Sequence, residues 1–309
     1  MSIEQQLAQG SSLRDAAVTI GTFDGVHRGH KQVFQRLTEE ASAGGLQTIA
    51  VTFRNHPRTV LVADSNVDYI TSWVERQALI KCEGVDSVVA LDFTEELSLV
   101  KARKFVGMLK TCFRMKVLVV GPDFALGYRR EGDISALKAL GDEMDFRVEV
   151  VEPEMSGTQP IRSRTLRQLI AGGDVDEAAE MLERHFSITG KIIEGDGRGR
   201  DLGFPTANLD IEAGRLVPGD GIYATWAIIG GSRYKSATSI GVRPTFGTKP
   251  RAVETFIIDF DDEVYSEALT LEFVSRLREE LTFPSVQGLI EQMHRDVEEA
   301  RAILSDEVK

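Results

Sequence analysis

The stretch Val18-Thr-Ile-Gly-Thr-Phe-Asp-Gly-Val-His-Arg-Gly-His30 limits the fold more than any other. Its β-branched run from Val18 to Ile20 meets a glycine turn at Gly21 to Gly25, and a helical pattern begins at once beyond His27-Arg-Gly-His30. A strand that passes through a tight turn into a helix starts a βα unit, and a sheet built of such units is parallel. Glycine lets the backbone come close to a ligand, and the uncompensated N–H groups of a helix start attract anions. Two histidines three residues apart share one face of a first turn. The stretch therefore reads as a phosphate site containing imidazoles.

The pattern continues in the same sense. Apolar positions at Val33, Phe34, Leu37 and Ala41 predict a helix over 31–43, stopped by Gly44-Gly45, and Leu46 to Phe53 reads as a buried strand closed by His56-Pro57. Helices over 68–81, 95–109 and 134–140 alternate with strands over 85–91, 117–120 and 147–151. The strand at 117–120 runs into Gly121-Pro-Asp-Phe-Ala-Leu-Gly127, a second glycine turn carrying an acid. This alternation predicts a doubly wound parallel sheet with its functional loops at the carboxyl ends of strands. Ile161 to Arg167 leads into a helix ending at Ala171, Gly172-Gly173 break it, and Asp174 caps a further helix through Leu182.

The texture changes at 184–186. Short β-rich segments at 188–193, 221–229, 234–240, 254–260 and 268–273, with punctuation such as Ile229-Gly-Gly-Ser, predict an antiparallel barrel or sandwich, of which the barrel is expected here. A helix over 284–304 closes the chain, with Val286, Leu289, Ile290, Met293 and Val297 on one stripe. The expected organisation is two domains, 1–184 and 185–309, and 309 residues suffice for two cores. A net charge of −12 argues against nucleic acid as the main partner, since that binding relies on a basic surface. The polar start and the lack of a long apolar run predict a cytoplasmic protein without membrane attachment. Cys82 and Cys112, about thirty residues apart, read as buried or half-buried thiols, and Trp73 and Trp226 as core or half-buried residues.

A second glycine-rich stretch, Gly195-Asp-Gly-Arg-Gly-Arg-Asp-Leu-Gly-Phe-Pro-Thr-Ala-Asn208, lacks the Gly-Lys-Ser/Thr of a P-loop. Its backbone can still wrap a polyphosphate. Thr206 and Asn208, two apart in an extended segment, present neutral oxygens on one side, suited to magnesium that already carries phosphate.

Gly21 to His30 resembles the signature of the FAD synthetase module of bacterial bifunctional riboflavin kinase/FMN adenylyltransferases. Blocks at 51–57, 84–86, 92–96 and 121–127 are similar to later blocks of that family, in the same order. The resemblance implies that ATP lies over the motif, with its α-phosphate near His27 and His30 and with Gly21, Phe23, Asp24 and Gly29 around it. It also implies that FMN approaches from the Phe53, His56 and Asp123 side. Where the family usually reads Ser-Ser-Thr-Arg-Ile-Arg, a second phosphate segment, this chain reads Arg162-Ser-Arg-Thr-Leu-Arg167, keeping Ser163 and Arg167 by position.

The stretch at 195–208 resembles the riboflavin kinase signature, which implies Gly197 and Gly199 at the ATP phosphates and Thr206 and Asn208 on nucleotide-bound Mg2+. Blocks at 218–223, 239–246, 253–260 and 277–283 agree, and they imply Glu254 as general base for the ribityl hydroxyl and Arg278 on the flavin side. The expected ligands are riboflavin, FMN, FAD and ATP. Two other readings stay open at this point: a riboflavin kinase whose N-terminal half only binds nucleotide, and a non-catalytic flavin carrier.

Overall fold

The computed structural model describes residues 1–11, 13–63, 65–195, 199, 202–241, 251–261 and 267–307. The chain divides into two compact units, Met1–Ser163 and Arg164–Lys309. The first holds a parallel sheet of β1 (Ala16–Gly21), β2 (Gln47–Phe53), β3 (Ser87–Leu91), β4 (Met115–Val120) and β5 (Arg147–Val150), in the order β3-β2-β1-β4-β5. The order runs one way from β1 through β2 and the other way through β4. The carboxyl end of β1 is therefore a topological switch point, the place where such sheets open a crevice for ligands.

Helices cover both faces. Phe34, Leu37 and Ala41 of α2 (Arg28–Gly44) pack with Ala17, Ala50 and Val119 on one side. Leu7 of α1 (Ile3–Ala8), Val106 and Leu109 of α6 (Ala102–Phe113) and Leu137 of α7 (Ile134–Met144) pack with Val18, Ile20 and Val51 on the other. Alternate residues of β1 thus serve opposite cores, as the pleat requires. The remaining elements of this part are α3 (Arg58–Leu61), α4 (Trp73–Cys82), α5 (Glu95–Ser98) and a small ribbon of β6 (Met155–Ser156) and β7 (Gln159–Pro160).

Two expected helices differ, for the same reason. The segment expected as helix from residue 68 becomes helical only at Trp73, after a Ser72 capping box, because the amides of Ile70 and Thr71 are given to the carboxylate of Asp24. The helix expected over 95–109 is split into α5 and α6. At the break the Val100 carbonyl accepts from the Tyr128 N–H, and the Ala102 N–H donates to Glu131. Gly127 makes that approach possible: a Cβ there would lie 2.5 Å from the Ala102 nitrogen. In both cases tertiary partners for backbone groups override local helical pattern.

The second unit begins with α8 (Ser163–Gly172) and α9 (Val175–Leu182), of which α8 starts at the last residue of the first unit. Among the described residues, β8 (Phe186–Ile193), β9 (Ala207–Ile211), β10 (Gly221–Ile229), β11 (Ser232–Gly241), β12 (Ala252–Ile257) and β13 (Ala268–Arg278) close a barrel in the order β10-β11-β12-β9-β8-β13. Every pairing in it is antiparallel. The β10–β11 hairpin turns on Gly230 and Gly231, both at positive φ, the two-residue turn whose twist matches paired strands. Fully buried Thr225, Ser236, Thr238 and Thr255 hydrogen-bond one another across adjacent strands inside the barrel, so their hydroxyls are satisfied without water.

α10 (Val286–Asp306) packs on the outside of β10, β11 and β13. Its buried residues are Asp296, Ala300 and Leu304, and Val286 is exposed, so the contact stripe is displaced toward the C-terminal half from the one expected. Cys82 is exposed and Cys112 half-buried, which corrects the expectation for Cys82. Trp73 is half-buried and Trp226 buried.

Candidate active sites

The first site is the turn beyond β1. Phe23 and Val26 sit at φ 47° and 41°, a region disfavoured for any side chain and most of all for a β-branched one; Gly25 is at φ 88°. Two such residues cost roughly 1–3 kcal/mol each and persist only where the surroundings hold them. Here the holder is Asp24. Its fully buried carboxylate accepts from the Ile70 N–H at 3.1 Å, the Thr71 N–H at 3.1 Å and the Thr71 hydroxyl at 3.0 Å. The buried Arg76 guanidinium lies 3.6 Å from the same carboxylate. Thr71 Oγ1 also accepts from the Gly25 N–H, and Ser163 Oγ donates to the Asp24 carbonyl. Asp24 is thus engaged by the 70–76 segment rather than turned toward an anion.

The strained turn delivers the histidines. His27 is the N-cap of α2, its carbonyl accepting from the amides of His30 and Lys31. The rings of His27 and His30 stack with centroids 3.7 Å apart and 19° between planes, and Phe23 meets His30 edge-on at 5.3 Å. Gly29 keeps this spacing open, since a Cβ there would lie 3.3 Å from the His27 ring, and one at Gly21 would lie 2.8 Å from the Phe23 ring. The sequence brought His27, His30, Gly21, Phe23 and Gly29 to one turn, and the fold keeps them there.

The residues expected on the flavin side come from neighbouring strand ends. Phe53 ends β2 and packs edge-on against Phe93 at 5.4 Å. The Asn55 side chain exchanges two hydrogen bonds with the Phe93 backbone, both 2.8 Å, which fixes the turn leading to His56. The His56 N–H donates to the Tyr69 hydroxyl. Asp123 is exposed and pairs with Arg162 at 2.6 Å, beside an open groove of about 750 Å³ that Arg130 and Phe124 also line. Arg167 lies one turn into α8 and is half-buried.

The second site stands on the outer wall of the barrel. In the register of β12 with its neighbours, Glu254 lies directly opposite Asn208 on β9 and Ser239 on β11. Directly paired residues share a face. That face is the outer one, because Val253, Thr255 and Ile257 occupy the interior. Asn208 is buried, Glu254 and Thr206 half-buried. Two described glycines approach them closely: a Cβ on Gly195 would lie 2.1 Å from Asn208 Nδ2, and one on Gly199 would lie 3.2 Å from Thr206 Oγ1. Phe204, just before Thr206, packs edge-on to Phe256 at 5.3 Å and to His294 at 4.9 Å. Gly197 lies outside the described residues. Arg278 makes a bidentate pair with the buried Asp296 of α10, at 2.9 and 2.6 Å, so its guanidinium ties β13 to that helix.

The segment expected to be extended at Thr206 and Asn208 runs into β9 at Ala207. Arg76, Thr71 and Asn55 were missed altogether. For Arg76 the signal was present: it falls four residues before Ile80 on the buried face of α4, a cation at a core position.

At both sites glycines leave backbone bare of Cβ atoms, an arrangement suited to phosphate, and each site adds side chains able to move or neutralise charge. The class so defined is a phosphate-transferring enzyme with two sites on one chain. Residues 9–165 match the FAD synthetase family and residues 182–304 the riboflavin kinase family. The chain is 32% identical over 290 residues to the bifunctional riboflavin kinase/FMN adenylyltransferase of Listeria monocytogenes, covering 93% of this chain and 92% of that protein. It is 35% identical to the protein of the same name from Pseudomonas fluorescens, covering 94% and 93%. A crystal structure described as a macrolide-efflux protein from Streptococcus pneumoniae matches with a TM-score of 0.87 at 28% identity, over 95% of this chain and 96% of that one. Among the described residues no helix is long and apolar enough to cross a membrane. The chain belongs to the bifunctional riboflavin kinase/FMN adenylyltransferase family.

Proposed function

We propose that the two sites carry two consecutive reactions, with residues 185–309 phosphorylating riboflavin and residues 1–184 adenylylating the FMN produced. In the first, the ribityl primary hydroxyl attacks the γ-phosphorus of ATP in line, ADP leaves, and Glu254 accepts the hydroxyl proton. A carboxylate is a weak base for an alcohol, so the proton moves as the phosphoryl group is transferred. Thr206 and Asn208 would hold Mg2+: they offer neutral oxygens, and Gly195 and Gly199 leave the space beside them free of Cβ atoms. When bound, the ion neutralises charge on the ATP phosphates. The observation that carries the kinase reading is the register that sets Glu254 beside Asn208.

In the second reaction an FMN phosphate oxygen attacks the α-phosphorus of ATP and pyrophosphate leaves. His27 and His30 stabilise the charge gathering on the α-phosphate oxygens, assisted by the first amides of α2. Gly21, Phe23 and Gly29 shape this cradle, Ser163 and Arg167 serve the triphosphate, and Phe53, His56 and Asp123 take the flavin side. Arg278 serves the kinase flavin by holding α10 in place. A cytoplasmic setting, where ATP is at hand for both steps, fits this reading. The matched relatives are named as bifunctional, which favours it over a lone kinase or a flavin carrier.

Purified protein given riboflavin, ATP and Mg2+ is expected to accumulate FAD, with FMN as intermediate, resolved by chromatography. Glu254→Gln is expected to cut FMN formation by at least about 100-fold, the usual share of a general base, while FMN supplied directly is still converted to FAD. Product stopping at FMN in the unaltered protein would overturn the adenylyltransferase half. Undiminished phosphorylation by Glu254→Gln would overturn the role of that carboxylate.

A further inference from the structure

We propose that Arg76 is a positioning residue of the adenylyltransferase site, setting the phosphate turn and the flavin-side strand end at their working separation. This rests on the reading of the N-terminal unit given above. The guanidinium is 2% exposed, and burial of that charge calls for partners on several sides. Its Nη1 donates to the Thr22 carbonyl at 3.2 Å and to the Phe53 carbonyl at 2.9 Å, while its Nη2 faces Asp24 at 3.6 Å.

Those partners belong to different parts of the reaction. Thr22 and Asp24 lie in the turn that delivers His27 and His30, and Phe53 ends the strand whose next turn carries His56. The β1–β2 ladder ends at Gly21 opposite Thr52, and past it the Thr52 hydroxyl bonds the Thr22 carbonyl at 3.1 Å. The cation adds a second tie there, taking the carbonyls of Thr22 and Phe53, one from each chain. The Tyr69 ring, 5.2 Å from the guanidinium, and the Tyr69 hydroxyl, which accepts from the His56 N–H, extend the same coupling to the flavin-side turn. A planar fork can serve these directions at once, and an ammonium cannot.

The test is steady-state FMN adenylylation by Arg76→Met and Arg76→Lys in the full chain, with riboflavin phosphorylation by the same samples as reference. Assays run below each variant's melting transition. Arg76→Met is expected to lower kcat for FAD formation by at least 30-fold with KM for ATP within threefold, and to leave kcat for riboflavin phosphorylation within twofold. Arg76→Lys is expected to fold and to lose between three- and tenfold in the same kcat. Should Arg76→Met not fold, Arg76→Lys decides alone. A lowered Tm with wild-type kcat for FAD formation would show an Arg that only stabilises, and would overturn the proposal. Absence of FAD formation in the unaltered protein would instead refute the function on which it rests.

Discussion

Replacing Asp24 by Asn tests whether the buried clasp holds the strained turn. The change is nearly isosteric, so its effect is electrical and directional rather than steric. In the native site Oδ1 accepts both Thr71 donors and faces Arg76, while Oδ2 accepts the Ile70 N–H at 3.1 Å. An amide oriented to keep the Thr71 bonds points its NH2 at the Ile70 N–H. Two donors then face each other, and one buried amide is left unsatisfied, at about 1–3 kcal/mol. The Arg76 cation simultaneously loses its counter-charge, and breaking a buried pair from one side costs about 3–5 kcal/mol.

The two terms share Asp24 and do not simply add; a total of about 3–6 kcal/mol is expected, against a whole-domain stability of about 5–15 kcal/mol. At about 2–4 °C per kcal/mol for a unit of this size, the N-terminal transition should fall by roughly 6–24 °C. Hydrogen exchange measured by mass spectrometry on peptides covering 66–76 reads that unit directly, with 221–229 as the reference in the barrel. Early exchange of the first peptide, together with loss of FAD synthesis and retained riboflavin phosphorylation, is the expected result. A transition shifted by less than about 3 °C with FAD synthesis intact would refute the clasp.

Two other perturbations address the barrel. Gly195→Ala places a methyl 2.1 Å from Asn208 Nδ2, and turning that amide aside should lower kcat/KM for riboflavin phosphorylation at least about tenfold with little change in Tm; an unchanged kcat/KM would show that Asn208 orientation is immaterial. Burial pushes the Tyr223 phenol up to about 12 from its ordinary 10, and its hydroxyl donates to the Gly219 carbonyl at 2.5 Å. Below pH 10 the phenol is neutral in both states; between 10 and 12 the unfolded chain ionises first, so stability should fall by about 2–3 kcal/mol across that window. Tyr223→Phe is expected to be less stable at pH 7 by about 1 kcal/mol and to lack that alkaline slope, as read from urea unfolding across pH; a parallel slope in both proteins would disprove the assignment.

The parts of the fold visible in the sequence are those where local pattern and tertiary demand agree. The strand ending at Gly21 and the hairpin at Gly230-Gly231 are of this kind, because glycine marks both the turn and its reason. The histidine pair was legible through its spacing. What escaped depends on partners distant in the chain. Nothing in residues 68–72 announces that two amides are claimed by a carboxylate more than forty positions earlier. Nothing around Val100 announces the turn at 127–131 that splits its helix. Arg76 is one charge beside Glu75 and Lys81 in the sequence of α4, and only its place with Ile80 on the buried face sets it apart. Glu254 and Asn208 could be named from motifs, but their adjacency is a property of strand register, which a single sequence does not fix.

The open sheet and the closed barrel expose this chain unequally to unwanted assembly. A closed barrel offers no strand edge to a second molecule, whereas an open sheet offers two, each a template for adding foreign backbone. At one edge, β5 is four residues long and bears Arg147 and Glu149, which join Arg36 and Glu40 of α2 in a lattice of opposite charges. At the other, the amide of Asp92 just past β3 is already taken by Gln6 of α1. Short length, committed charges and a capped end make both margins poor seeds for aggregation. Any assembly this protein forms should accordingly be built from side-chain surfaces and not from continued sheet.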